Sequence, residues 1–152
     1  MGIHLDEDER WEMLDSHDIM RLATRDPDGH PHVIPVWFVA DADEGSIYFA
    51  TPGRSRKKRN LDEDPRMSLT VDGGGSEYFE LRAVVVHGTA EPVTDETERA
   101  SVERQWAEKY FERSEVPEFM RHFFDGDLRW YRIEPSSWSS WDNSRIDTDR
   151  LG

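Results

Sequence analysis

Residues 21–38 read Arg-Leu-Ala-Thr-Arg-Asp-Pro-Asp-Gly-His-Pro-His-Val-Ile-Pro-Val-Trp-Phe, two apolar runs separated by a turn. The turn is Asp26-Pro27-Asp28-Gly29, with proline and glycine where a tight turn requires them. It predicts a hairpin between a strand over residues 19–25 and a strand over residues 31–40. The second strand is apolar on both faces. Pro35 within it favours an edge position or a bulge, because proline donates no hydrogen bond to a sheet.

The rest of the chain carries further strand and helix patterns around this hairpin. Strands are predicted over residues 46–50, 66–72, 77–93 and 128–134, with a bulge or tight bend at Gly88. Helices are predicted over residues 5–16, 55–64, 94–113 and 116–124, and Asp125-Gly126-Asp127 is predicted to be a turn. Six strands with most of the helix after them indicate a mainly β fold with flanking helices, a closed antiparallel barrel with helices at its ends.

The length predicts a single domain over residues 1–152. Within it we expect the barrel to occupy about residues 18–93 and 128–134. An N-terminal helix (5–16) precedes the barrel, a helical segment (94–124) interrupts it, and a C-terminal tail (135–152) follows it.

The composition excludes several kinds of site and partner. The chain has no cysteine, so disulfides, thiol catalysis and cysteine-based metal sites are excluded. No apolar run approaches the ~20 residues of a membrane-spanning helix, and the N-terminus is acidic rather than signal-like, which predicts a cytoplasmic protein with no membrane partner. With 33 acidic and 19 basic residues, the net charge of −14 would repel nucleic acid, so no nucleic-acid partner is expected.

The same charge balance indicates the kind of organism from which the protein comes. Carboxylates are in excess and lysine is scarce, with three residues in the whole chain. Halophilic proteins are known to carry a high net charge, so the composition predicts a halophilic source. An ordinary acidic cytosolic protein is the alternative.

A cationic segment interrupts this acidic background. Residues 54–59 read Arg-Ser-Arg-Lys-Lys-Arg and hold five of the 19 basic residues. They follow a strand and a Pro52-Gly53 turn, and Ser55 is a candidate N-cap for the next helix. Hydroxyls and free backbone N–H groups at a helix start bind phosphate, and arginine and lysine add charge, which predicts an anion site at Thr51, Ser55, Arg56 and Lys57. The alternative is a solvated helix whose cations pair with Asp62, Glu63 and Asp64.

Other chemistry-bearing residues form no catalytic pattern. The sequence lacks the nucleophile elbow, the phosphate loop, the dinucleotide fingerprint and the zinc-helix motif, and no catalytic residue is nominated. His30, His32 and His87 are interpreted as a turn residue and two half-buried strand residues, so no metal is predicted. Trp37, Trp138 and Trp141 must pack against the barrel, a partner subunit or a flat ligand.

The ordered set of motifs resembles a known family. Residues 21–38 are followed in turn by Ile47-Tyr-Phe-Ala-Thr51, Ser55-Arg-Lys57, Asn60-Leu61, Asp64-Pro-Arg-Met-Ser-Leu-Thr-Val71 and Val86-His-Gly-Thr-Ala-Glu91. This order resembles the pyridoxamine 5′-phosphate oxidase-like superfamily, the flavin- or deazaflavin-dependent split β-barrel proteins. The resemblance covers about residues 18–93 well and the remainder loosely.

The resemblance implies a six-stranded antiparallel split β-barrel that forms a homodimer, with FMN or coenzyme F420 in a groove at the subunit interface. It assigns the cofactor phosphate to Ser55, Arg56 and Lys57, with Ala50 and Thr51 at the end of the preceding strand. It places the ring along the strand formed by Val33, Ile34, Pro35, Val36 and Trp37. The cofactor performs the hydride chemistry in such enzymes, which agrees with the lack of a catalytic constellation.

Two departures set the chain apart from true pyridoxamine phosphate oxidases. Its tail over residues 141–152 is acidic and lacks the Arg-Leu-x-Pro-like ending, and its ring-side strand lacks a cationic residue. The strand looks more like the branch of F420-dependent enzymes, some of whose relatives bind FMN. We therefore expect an FMN- or F420-dependent oxidoreductase for a small apolar or aromatic substrate, with Trp37 and the tail tryptophans as candidate walls. The alternative is a non-catalytic flavin or haem binding protein on the same barrel.

Overall fold

The computed structural model describes residues 2–124 and 127–152, in which seven strands form one antiparallel sheet. The strands are β1 (Met20–Arg25), β2 (Pro31–Val36), β3 (Val39–Asp41), β4 (Ser46–Pro52), β5 (Arg66–Gly73), β6 (Arg82–Pro92) and β7 (Leu128–Asp142). The helices are α1 (Glu7–Asp15), α2 (Arg56–Glu63), α3 (Glu96–Phe111) and α4 (Glu118–Phe124). A 3₁₀ turn (Tyr78–Glu80) occupies the beginning of the predicted strand over 77–93. Residues 125 and 126 of the predicted turn lie outside the described residues.

The strand order requires the sheet to curl. It is β2-β1-β5-β6-β7-β4-β3, so β2 and β3 are the two edges, although only Trp37 and Phe38 separate them in sequence. Three Cα–Cα steps reach at most about 11 Å, whereas seven flat strands would hold the edges roughly 29 Å apart. The edges therefore approach one another, and the predicted split barrel of antiparallel strands with flanking helices is confirmed, with seven strands instead of six.

The additional strand arises where one continuous strand was predicted over residues 31–40. Strand β2 pairs with β1 from Arg25↔Pro31 to Met20↔Val36, and β3 pairs with β4 at the opposite edge from Val39↔Tyr48. The prediction of one strand is wrong because the chain crosses between the two sheet edges at Trp37-Phe38. The predicted edge position of Pro35 is confirmed, since β2 has a single neighbour.

Strand β7 is longer than predicted. Its 15 residues continue through the serine-rich segment that was predicted to be a tail, and they pair with β6 as far as Arg82↔Asp142. The register shifts between His87 and Gly88, which confirms the predicted irregularity. A Cβ at position 88 would clash with the Glu134 carbonyl oxygen, so the close approach of the two strands requires glycine.

Two apolar clusters position the helices. The larger fills the curled sheet and includes Leu22, Phe49 and Leu69. The smaller packs α3 through Val102 and Trp106 against β3, β4 and β7. This packing brings the C-terminal end of α3 to the link between β2 and β3. No helix among residues 2–124 and 127–152 has the length and apolar composition needed to cross a membrane.

Candidate cofactor site

The first turn of α2 brings two predicted hydroxyl groups together. Ser55 is the N-cap, as predicted, and its Oγ accepts the Lys58 N–H at 3.2 Å. The buried Thr51 places its Oγ1 2.6 Å from the same Ser55 oxygen. In the described part of the chain, the backbone N–H groups of Arg56 and Lys57 have no acceptor. Two hydroxyls and two free N–H groups therefore lie at a helix N-terminus, an arrangement suited to phosphate oxygens.

Lys57 supplies a cation that has no counter-charge among the described residues. Its side chain is half-buried and forms no ion pair with any residue that the structure describes. Burial lowers the pKa of its ammonium group, because the charged form has lost part of its hydration. The neighbouring Lys58 differs, since its Nζ lies 2.5 Å from Asp62 Oδ2. A bound anion would compensate Lys57, whereas Lys58 is already compensated.

Arg56 binds a carboxylate of the chain itself. Its Nε donates to Asp26 Oδ1 at 2.8 Å and its Nη2 bonds Asp26 Oδ2. The Asp26 side chain is 7% exposed. Asn60 Nδ2 also donates to Asp26 Oδ1 at 2.9 Å and to Thr24 Oγ1 at 3.1 Å. We call these four residues, Thr24, Asp26, Arg56 and Asn60, the polar junction.

The polar junction docks α2 on the β1–β2 hairpin. The hydrogen bond from Arg56 and then that from Asn60 hold the pKa of Asp26 well below its usual value. The charge of Arg56 is thus largely compensated within the protein. The role of Arg56 at a phosphate stays a prediction, and the contacts give it a second role in positioning α2.

The opposite end of β2 is held by aromatic residues. Trp37 stacks on Tyr110 with ring centroids 4.2 Å apart and planes 3° from parallel. The Tyr110 hydroxyl accepts the Phe38 N–H at 2.8 Å and lies within donating distance of the Asp18 and Phe38 carbonyl oxygens. Lys109 Nζ donates to the Phe38 carbonyl oxygen at 3.2 Å and lies 3.7 Å from the Phe38 ring centroid. We call Trp37, Phe38, Lys109 and Tyr110 the aromatic junction.

Burial shifts both titratable groups of the aromatic junction. It lowers the pKa of Lys109 to about 8 and raises that of Tyr110 above its usual value. Both shifts favour the neutral form, because the surroundings are apolar. The aromatic junction therefore opposes charge, whereas the polar junction stabilises the ionised Asp26.

Between the two junctions, β2 presents an uncovered edge. Val33 is 61% exposed and Trp37 is 41% exposed. Because β2 pairs with β1 alone, backbone groups on its other edge are available to a ligand. The predicted residues Val33, Ile34, Pro35 and Val36 lie in β2 and Trp37 directly follows, while Ala50 and Thr51 lie near the end of β4. No hydrogen bond within the described residues joins β2 to Ser55 or Lys57.

The residues fit the two ends of a flavin-type cofactor differently. Thr51, Ser55 and Lys57 would hold the phosphate, because the start of α2 combines hydroxyls and free N–H groups with a cation that no described carboxylate compensates. The exposed edge of β2 offers backbone groups to a ring. Sequence reasoning missed Asp26, Asn60, Lys109 and Tyr110. Only Asn60 carried a usable signal, because asparagine is unfavourable inside a helix unless its side chain has a separate role.

The remaining histidines and tryptophans lie elsewhere. His87 Nδ1 is 2.6 Å from Ser68 Oγ on an exposed face. Trp138 packs edge-on against Trp11 of α1 with centroids 5.2 Å apart, and both side chains pack against the larger apolar cluster. Among the residues that the structure describes, no group of three histidines or carboxylates is placed to hold a metal.

A curled antiparallel sheet whose fourth strand leads into a hydroxyl-capped helix defines a split-barrel protein. The chain belongs to the pyridoxamine 5′-phosphate oxidase family, whose family model matches residues 7–142.

The chain is also similar to a reductase and to several solved structures. The 5a,11a-dehydrotetracycline/5a,11a-dehydrooxytetracycline reductase of Streptomyces rimosus is 43% identical over 74 residues, which is 47% of this chain and 52% of the reductase. The match therefore spans about half the length of that relative. The structure of Rv2991 from Mycobacterium tuberculosis has a TM-score of 0.79 at 29% identity, over 93% of this chain and 88% of that one. An FAD-binding protein from Mesorhizobium loti shares the fold, with a TM-score of 0.67 at 22% identity over 90% and 94% of the two chains.

Proposed function

We propose that this protein is an oxidoreductase that binds FMN or coenzyme F420 with the phosphate at the start of α2. The observation that carries the proposal is the meeting of the Thr51 and Ser55 hydroxyls with Lys57, a half-buried cation that has no counter-charge among the described residues. Membership of the pyridoxamine 5′-phosphate oxidase family supports a flavin-type cofactor. The FAD-binding protein with the same fold and the related reductase agree with it.

Each part of the proposed site has a defined task. Thr51, Ser55 and Lys57 bind the phosphate, and Arg56 contributes while it holds α2 on the hairpin. The edge of β2, from Val33 to Trp37, lies along the ring, and a second copy of the chain closes the groove in a homodimer. The bound cofactor supplies the hydride chemistry. The substrate is a small apolar or aromatic compound, and the related reductase favours reduction as the direction.

Two neighbouring lysines provide the test. Lys57→Ala and Lys58→Ala remove the same charge one residue apart, but among the residues that the structure describes only Lys58 has a carboxylate partner. We expect the parent protein to take up FMN or F420, and Lys57→Ala to weaken that binding about tenfold or more, the value of a charge-assisted hydrogen bond. Lys58→Ala should change it by less than about threefold. Fluorescence titration of each cofactor measures both.

Two results would contradict the proposed site. One is a parent protein that binds neither cofactor. The other is equal weakening by the two substitutions, which would indicate a general effect of charge. Turnover distinguishes an oxidoreductase from a non-catalytic binding protein. Bound cofactor that no reductant reduces would favour a non-catalytic flavin-binding protein. A Soret band in the purified protein would indicate a haem-binding protein.

A further inference from the structure

The turn between β1 and β2 fixes the position of Asp26. The Asp26 N–H donates to the His30 carbonyl oxygen at 2.9 Å, and the Asp26 carbonyl oxygen accepts the Gly29 N–H at 2.8 Å. Gly29 closes the turn with a φ of 88°, a left-handed conformation that glycine adopts without strain. The buried Asp26 side chain therefore projects from a turn that its own backbone hydrogen bonds hold in shape.

The Asp26 carboxylate contacts α2 at two successive turns of that helix. Arg56 is the first residue of α2 and binds the carboxylate through two nitrogens, and Asn60 donates to it from four residues later. Residues four apart lie on the same helix face. Contacts at both positions fix the rotation of the helix as well as its distance from the hairpin, so Asp26 determines where the N–H groups of the first turn point.

The first turn of α2 has few other ties to the fold. The second half of the helix is anchored by Leu61, which is 3% exposed in the larger apolar cluster. Among the residues that the structure describes, two sets of side-chain hydrogen bonds join the first turn to other elements. They are the Thr51–Ser55 contact and the bonds from Arg56 to Asp26. The free N–H groups proposed for the phosphate lie on this turn, so their placement depends on Asp26.

We propose that Asp26 is a positioning residue for the cofactor phosphate. Through Arg56 it holds the first turn of α2 where the free N–H groups meet the phosphate. The ion pair with Arg56 also cancels the negative charge of Asp26, which would otherwise repel the phosphate. This role rests on the proposed function and deepens it. Because Asp26 acts on the phosphate end of the cofactor alone, it should favour phosphorylated over phosphate-free forms.

Two substitutions of the same size in the same turn provide the test. Asp26→Asn keeps the shape of the side chain and removes the carboxylate that Arg56 binds. Asp28→Asn removes the same charge two residues away, and its amide oxygen can still accept the His30 N–H, as Asp28 Oδ1 does at 3.0 Å. The pKa of Arg56 is raised first by its hydrogen bond with Asp26 and also by the charge of Asp28, so both carboxylates act on the same guanidinium. A difference between the two variants therefore reports the contact and not the charge.

Fluorescence titration of the full chain with FMN, and with riboflavin, which lacks the phosphate, measures the effect. We expect Asp26→Asn to weaken FMN binding about tenfold, because the phosphate donors are no longer held in place before the cofactor binds. Riboflavin binding should change by less than about twofold. Asp28→Asn should change neither by more than about twofold. If the parent binds only F420, then F420 and its phosphate-free chromophore replace the two flavins.

A double variant tests whether Asp26 acts through Arg56. Asp26→Asn combined with Arg56→Gln leaves the net charge of the chain unchanged and leaves no unpaired charge in the polar junction. It should bind FMN no more weakly than Arg56→Gln alone, because the contact is already lost in the single variant. Circular dichroism shows that each variant is folded at the temperature of the titration. Further weakening in the double variant would show that Asp26 acts by another route and would overturn the proposal.

The failure of this role is distinguishable from failure of the proposed function. A parent protein that binds neither FMN nor F420 overturns the proposed function itself. When the parent binds, equal weakening of FMN and riboflavin by Asp26→Asn would indicate a structural loss only, and equal effects of Asp26→Asn and Asp28→Asn would indicate charge alone. Tighter FMN binding to Asp26→Asn would show that Asp26 competes with the phosphate for Arg56. Each of these three results overturns the positioning role and leaves the cofactor site standing.

Discussion

The two ends of strand β2 are fixed by opposite kinds of chemistry. The polar junction surrounds an ionised carboxylate with donors and so stabilises its charge. The aromatic junction removes an ammonium group from water, and this loss of hydration opposes its charge. Between them β2 remains an edge strand with Val33 open to solvent. The comparison shows that a strand paired along one edge and anchored at both ends can leave its other edge available for a ligand.

The largest effect is expected from removing the centre of the polar junction. Asn60 is fully buried and donates to both Thr24 and Asp26. Asn60→Ala should lower the free energy of unfolding by about 3 kcal/mol, because two buried hydrogen bonds and packed volume are lost together. Urea denaturation measures this change. Arg59→Ala, at an exposed position on the same helix, is the control and should stay within about 0.5 kcal/mol of the parent. Equal decreases in the free energy of unfolding for the two variants would show that the polar junction does not stabilise the fold more than an exposed position on α2 does.

A smaller effect is expected at the aromatic junction. Tyr110→Phe keeps the ring that stacks on Trp37 but removes the hydroxyl that accepts the Phe38 N–H. We expect a loss of about 1 kcal/mol in the free energy of unfolding, the net value of a typical hydrogen bond. Near-ultraviolet circular dichroism should keep the signal of the stacked rings. A loss equal to that of Asn60→Ala would remove the distinction between the two junctions, and Tyr78→Phe, at an exposed position, serves as the control.

The sequence predicts the local parts of this arrangement and misses the parts that depend on distant partners. The Asp26–Gly29 turn and the Ser55 cap follow from adjacent residues, and both lie where predicted. The break at Trp37-Phe38 depends on which sheet edge each half of the segment joins, so the apolar pattern could not reveal it. The extension of β7 was missed for the same reason, because its serine-rich half is ordered by pairing with β6.

In the candidate site too, the features set by adjacent residues were predictable and those set by distant partners were not. Clustered charge indicated Ser55, Arg56 and Lys57, because five cations in an acidic chain stand out. The pairing of Arg56 with a carboxylate of the chain could not be predicted, since its partner Asp26 lies 30 residues away and is one of 33 acidic residues. The aromatic junction was hidden because Tyr110 and Lys109 belong to a helix whose position is decided by packing.

Titration of Lys109 tests the contrast between the two junctions through the pH dependence of stability. Burial lowers the pKa of Lys109 to about 8, below its value in the unfolded chain. Between about pH 8 and 9.5 the folded protein therefore releases this proton while the unfolded chain keeps it, and stability should rise with pH. The charges of Asp15 and Asp18 partly oppose the lowering of the Lys109 pKa, and the raised pKa of Tyr110 keeps its hydroxyl neutral. Lys109→Met retains an apolar stem and lacks the titration, so its unfolding free energy should rise less than that of the parent in urea experiments at pH 7.5, 8.5 and 9.5. Parallel pH profiles for parent and variant would show that the ammonium group of Lys109 is hydrated, and that the aromatic junction does not oppose its charge.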